Sequence, residues 1–240
     1  MDAGGASWID YSDGFIRQIT DTKKHVHQSF KKVQMLKNAM QQCGMIAILR
    51  GVRPSEVAAI GMALYAAGFR VIEVPLNSPE PLESIRILRA TLTADCVVGA
   101  GTVLTTAMVA EVKNAGGEII VMPHSDAAVI GAAKQAGLAC APGVATVTEA
   151  FAALAAGADV LKMFPAEQLG PHVVKAWRAV IPANIALVPV GGITPENMAT
   201  FMAAGASGFG LGSALYKPGM SAEEVNKNAQ QFVAAWRVLA

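Results

Sequence analysis

The feature that most constrains this chain is a rhythm that begins at Met45 and runs almost to the C-terminus. A short β-branched or apolar run is followed by a turn and then by an alanine-rich stretch of helical period. The runs are MIAILR (45–50), RVIEVPL (70–76), CVVGAG (96–101), EIIVMP (118–123), LACAPG (138–143), DVLKMFP (159–165), ALVPVGG (186–192) and GFGLGS (208–213), eight in all, starting about 20 to 27 residues apart. They are apolar at consecutive positions, the pattern of parallel strands covered on both faces. The intervening segments open on helix-start residues: Pro54-Ser55-Glu56, Ser78-Pro79-Glu80, Ser125-Asp126, Thr146-Val147-Thr148-Glu149 and Thr194-Pro195-Glu196. They close at Ala67-Gly68, Ala136-Gly137, Ala156-Gly157 and Ala204-Gly205, as helix C-termini do. Eight such units predict an α/β chain folded as a (β/α)8 TIM barrel, with an open doubly wound sheet as the structural alternative.

The first 44 residues stand outside this rhythm. Phe30 to Gln42 has amphipathic helical spacing and is expected to pack across the bottom of the barrel. Residues 1–28 are read as an N-terminal extension whose order the sequence does not specify, and 29–240 as the barrel domain. His25 and His27 imitate a metal pair, but on a charged tail they read as solvent-facing. No other His/Asp/Glu set has metal-ligand spacing, so no metal is expected.

Composition narrows the function classes. With 19 basic and 18 acidic residues the formal charge is +1, which argues against nucleic acid or an anionic membrane surface as partner. Hydrophobic content is 53%, yet Gly, Pro or a charge interrupts every apolar stretch before it reaches membrane-spanning length. MDAGGASWIDYSDGF (1–15) lacks the basic-then-apolar order of a secretory signal. Cys43, Cys96 and Cys140 lie far apart and fit reduced thiols. The expectation is a cytoplasmic protein.

Two charges fall where a buried strand would not ordinarily carry them. In DVLKMFP, Val160, Lys162 and Phe164 share a face; in RVIEVPL, Val71, Glu73 and Pro75 do. One reading is a buried structural ion pair, whose desolvation cost roughly cancels its attraction. The other is catalytic. A free lysine has a pKa near 10.4, so only about one in a few thousand is a neutral amine at pH 7. Desolvation lowers that value and supplies a nucleophile able to form a Schiff base with a ketone. A nearby carboxylate such as Glu73 can move the protons. This kit needs no cofactor.

The strand ends add binding groups. Gly191-Gly192 and Gly212-Ser213 fall after the last two strands, where barrels of this class commonly bind phosphate through backbone N–H groups; tight turns would require glycine as well. Arg50 at the first strand's end suits a carboxylate clamp or a rim salt bridge. Thr102 can meet substrate or cap a helix. Pro123 and His124 close the fourth strand, His124 as wall.

The ordered motifs EVPLNSP (73–79), GAGTVL (99–104), APGVATVTEA (141–150), LKMFPAE (161–167), PVGGITPEN (189–197) and GLGSALY (210–216) resemble the KDPG/KHG class I aldolases, which cleave 2-keto-3-deoxy-6-phospho sugar acids. The resemblance covers about residues 30 to 237. It implies a cofactor-free (β/α)8 barrel, usually a homotrimer, with pyruvate and glyceraldehyde 3-phosphate as products. Lys162 matches the Schiff-base lysine and Glu73 the general acid/base. Gly191, Gly192, Gly212 and Ser213 match phosphate-binding positions, and Thr102 and Pro123 the pyruvyl pocket. Family members acting on the gluconate derivative typically read E-V-T-L-R and T-G-G where this chain has Glu73-Val74-Pro75-Leu76-Asn77 and Val190-Gly191-Gly192. The departures look like the galactonate branch, with Arg50 replacing the missing strand-two arginine and with Val190 and Asn77 setting specificity. The gluconate epimer, or dual activity including 4-hydroxy-2-oxoglutarate, is the alternative. A barrel that binds sugar phosphates without turnover, or an isomerase, is the reading from another class.

Overall fold

The computed structural model describes residues 32–239. The extension at 1–28 and the His25/His27 pair lie outside the described residues. The strands are β1 (Met45–Ile48), β2 (Val71–Pro75), β3 (Val97–Gly101), β4 (Ile119–Val121), β5 (Ala139–Ala141), β6 (Gly143–Val144), β7 (Val160–Met163), β8 (Ala186–Pro189) and β9 (Phe209–Leu211). Each falls inside one of the expected runs except β6, which extends one residue beyond the fifth, to Val144. The fifth run yields two strands because Pro142, with no N–H to donate, interrupts the ladder.

All strand pairs are parallel. One ladder runs β5-β4-β3-β2-β1-β9 and the other β6-β7-β8. At one seam the Asp159 N–H donates to the Cys140 carbonyl and the Lys162 N–H to the Pro142 carbonyl, each at 3.0 Å. At the other, Val190 forms a parallel bridge with Gly210, and the Ser207 N–H donates to the Leu187 carbonyl at 2.8 Å. The result is an α/β fold with a curled parallel sheet.

Side-chain parity sorts the strands into two apolar layers. Ala47, Ile72, Val74, Val98, Ala100, Ile120, Leu161 and Leu187 pack under the helices. Ile46, Ile48, Val71, Val97, Ile119, Val121, Val160 and Val188 form a second cluster on the opposite face. Period-two alternation therefore turns Glu73, between Ile72 and Val74, and Lys162, between Leu161 and Met163, toward that second face.

The helices begin and end where local chemistry allows. Asp126 caps α5 (Ala127–Gln135), and Thr146 with Glu149 forms a capping box on α6 (Val147–Ala155). Two expected starts shift. Helix α3 (Pro81–Thr91) begins after Glu80 (φ 43°) because Ser78 is engaged elsewhere. Helix α8 (Met198–Ala203) begins later than Thr194-Pro195-Glu196 because Asn197 first accepts from the Thr194 N–H. Helix α1 occupies 32–42, within the expected segment, and its Leu36 and Ala39 join the second cluster. Lys32 on α1 and Arg89 on α3 both pair with buried Glu118, which ties α1 to the start of β4. Among the described residues no helix is long and apolar enough to cross a membrane.

Candidate active site

Glu73 on β2 and Lys162 on β7 are 2% and 7% exposed, amid valine and isoleucine. They line one enclosed space with Ile46, Ile48, Val121, Val160, Val188 and Val190. Burial pushes the Glu73 carboxyl up to about 7, although the Lys162 and Arg50 charges and the Gly101 backbone favour its ionised form. Burial holds the Lys162 ammonium below its ordinary pKa, a shift that Glu73 opposes and Arg50 reinforces. The two groups face one space, yet among the described residues neither enters an ion pair within 4.0 Å. Glu73 Oε2 is buried without a hydrogen-bond partner, and Lys162 Nζ lies 4.8 Å from the Phe164 ring centroid. A buried structural ion pair would bring the charges together and satisfy their remaining lone pairs and protons. Here neither charge is neutralised by the other.

Arg50 follows β1 and is exposed at the strand's C-terminal end. Its Nη1 donates to Asn77 Oδ1 at 2.6 Å, so two residues marked separately in the sequence are in contact. Beside them the Gly51 N–H donates to Ser78 Oγ at 2.9 Å, which links the loops after β1 and β2. The sequence marks Ser78 as a helix start, but the neighbouring loop uses its hydroxyl instead. Arg50 makes no rim salt bridge among the described residues.

Thr102 directly follows β3 at φ 55°, a left-handed conformation that crowds a β-branched side chain. It does not cap the following helix. That role belongs to Thr105, whose side chain accepts from the Met108 N–H at the start of α4 (Thr106–Asn114). Pro123 is half-buried and His124 exposed after β4.

The glycine turns lie after β8 and β9. Gly191 (φ 107°) and Gly192 (φ 66°) both occupy conformations that favour glycine. Asn197 Nδ2 donates to the Gly192 carbonyl at 2.8 Å and holds the turn. Around Gly212 there is open space within 4 Å of where a side chain would begin, and Ser213 is exposed. Sequence reasoning missed Glu167, at the start of α7 (Ala166–Arg178), whose carboxylate lies against Gly191 and Gly192. Its position depends on the start of α7 meeting the turn after β8, and no local pattern carries that information. Val190 sits just before the glycines, 7% exposed, in the same space as Lys162 and Glu73. Arg50, Thr102, Pro123 and the two glycine turns thus all follow the C-terminal ends of their strands, and Lys162 lies in the C-terminal half of β7. Among the described residues no group of three or more His, Cys, Asp or Glu could hold a metal.

Comparisons with known proteins agree with this geometry. A probable 2-dehydro-3-deoxy-6-phosphogalactonate aldolase of Rhizobium meliloti (strain 1021) is 48% identical over 192 residues, 80% of this chain and 91% of that protein. The 2-dehydro-3-deoxy-6-phosphogalactonate aldolase of Escherichia coli (strain K12) is 45% identical over 193 residues, covering 80% and 94%. A solved structure described as native KDPGal superposes with a TM-score of 0.80 at 45% identity, over 81% of this chain and 95% of that one. Residues 36–231 match the family described as KDPG and KHG aldolase, and the chain belongs to that family.

Proposed function

We propose that this chain is a class I aldolase that cleaves 2-dehydro-3-deoxy-6-phospho-D-galactonate to pyruvate and D-glyceraldehyde 3-phosphate. The observation that carries the reading is the pair Lys162 and Glu73, buried in one apolar space without pairing to each other. The neutral Lys162 amine attacks the C2 keto carbon, and loss of water from the carbinolamine leaves a protonated imine. The C4 hydroxyl gives up its proton as the C3–C4 bond breaks. Its electrons pass into the imine, which becomes an enamine as the aldehyde departs. Protonation at C3 and hydrolysis then release pyruvate and restore the amine. Glu73, with a pKa of about 7, holds and yields protons with similar ease near neutral pH, which suits it to these transfers.

The remaining roles belong to the same proposal. Arg50, oriented by Asn77, binds the substrate carboxylate. Thr102 and Pro123 line the pyruvyl pocket. Backbone N–H groups around Gly191, Gly192 and Gly212, with the Ser213 hydroxyl, hold the phosphate. We read the two ladders as one closed (β/α)8 barrel with α1 across its N-terminal mouth. Backbone bonds at both seams support this, as does the inner cluster that Leu36 and Ala39 join. The homotrimer usual in the family is part of the reading, and sedimentation of the full chain tests it; a monomer would remove that element.

The galactonate epimer is favoured by Val190, Asn77 and Arg50 and by the names of the 45% and 48% identical relatives. Measuring kcat/KM for pyruvate release from the two C4 epimers, side by side, tests it. A clear preference for the galactonate epimer is expected. Equal or reversed rates would move the chain to the gluconate or dual-specificity branch. Val190→Thr places a hydroxyl beside the reacting carbons. It should shift the epimer ratio toward the gluconate compound by about 5- to 10-fold, the worth of one net hydrogen bond. An unchanged ratio would free Val190 of that role.

A further inference from the structure

Strand β3 carries two glycines, Gly99 and Gly101, at alternate positions and therefore on one face. Glycine inside a strand is destabilising relative to residues that pack, and it often marks a place where another group must come close. Neither residue has positive φ, so their backbones do not require glycine. What they require is room, and the two differ in what occupies it. A methyl group on Gly99 would overlap the backbone carbonyl oxygen of Ile119. A methyl group on Gly101 would overlap Oε1, Oε2 and Cδ of Glu73. The register explains the encounter, since Glu73 pairs with Gly99 and Pro75 with Gly101, which sets the Glu73 side chain across the next inward position of β3.

We propose that Gly101 is a positioning residue for Glu73: its absent side chain is the niche in which the carboxylate lies, facing the space it shares with Lys162. The inference rests on the aldolase reading of that space and names a determinant that the site residues do not include. Main chain cannot yield to an added methyl, whereas the end of a flexible side chain can. Gly101→Ala therefore folds and moves the carboxylate out of its niche, while Gly99→Ala disturbs the β3–β4 ladder.

The test is a double-mutant cycle of Gly101→Ala and Glu73→Asp, with kcat, KM and melting temperature measured for each protein. Gly101→Ala should keep a near-wild-type melting temperature and KM while kcat falls by about 100-fold, the cost of a displacement near 1 Å. Added to Glu73→Asp, the same change should cost little, because the shorter carboxylate withdraws from the methyl. Four results overturn the proposal: kcat of Gly101→Ala within about 3-fold of wild type, when a displaced catalytic group costs about 100-fold; a loss carried by KM; equal losses in both backgrounds; or a folding failure that Glu73→Asp does not repair. Borohydride trapping of pyruvate on the wild-type chain separates the two levels. Failure to trap removes the aldolase reading, whereas trapping with an unaffected Gly101→Ala removes only the niche.

Discussion

Lys162→Met ends turnover and, on this account, makes the protein more stable. Methionine matches the length of the lysine stem but carries no amine, so no imine forms and kcat falls by at least ~10⁴-fold. The gain in stability comes from the same burial. An ammonium held amid Val160, Val188 and Ile48, without an ion-pair partner within 4.0 Å among the described residues, is a standing cost to the fold. Removing it should stabilise the chain by about 1 kcal/mol, or about 2–4 °C in melting temperature for a domain of this size. Glu73 then loses a favourable charge and retains its proton to a higher pH. The sign with pH follows from linkage. The folded-state pKa of Lys162 is depressed, so the unfolded chain binds more protons and wild-type stability rises with pH up to the ordinary lysine pKa. The advantage of Lys162→Met is therefore full below the folded-state pKa of the lysine, fades as pH rises toward 10.5, and is gone above it. Calorimetry across pH checks it, and a destabilised variant would mean that Lys162 is held by contacts the account does not recognise.

Glu73→Gln separates binding from proton transfer. The amide nearly preserves size, so the variant should still form an imine with pyruvate, more slowly. Its kcat for cleavage should fall by about 10²- to 10⁴-fold, the usual worth of a positioned acid/base. Wild-type kcat/KM should carry an ionisation near pH 7 that Glu73→Gln lacks, with Lys162 and Arg50 as the charged groups acting on it. Stability moves in the opposite direction to the lysine case. Glu73 is raised from 4.5 to about 7, so its contribution is full below pH 4.5 and is lost as pH rises through 7. Glu73→Gln should thus gain on the wild type at pH 8 and not at pH 4. A variant with undiminished kcat would assign the proton transfers to another group.

The sequence made the strands and the inward charges legible for one physical reason. Strands buried on both faces are continuously apolar, so an ionisable residue within them is conspicuous, and period two then assigns its face. Lys162 and Glu73 were found in this way, from single strands. What escaped depends on two segments meeting. Pro142 divides the fifth strand although its run reads as unbroken up to the proline. Ser78 resembles a helix start, but its hydroxyl accepts from Gly51 in the neighbouring loop. The Arg50–Asn77 contact joins residues 27 positions apart, and Glu167 reaches the Gly191-Gly192 turn from the first turn of α7. Gly101 was visible as part of a motif. Its relation to Glu73 appears only once β2 and β3 are in register.

The most direct test of the central claim is to incubate the full chain with pyruvate and sodium borohydride and locate the adduct by peptide mass spectrometry. The expected result is irreversible inactivation with one reduced pyruvyl adduct, on Lys162, that is absent from Lys162→Met. No adduct, or an adduct on a different lysine with Lys162 unmodified, would contradict it.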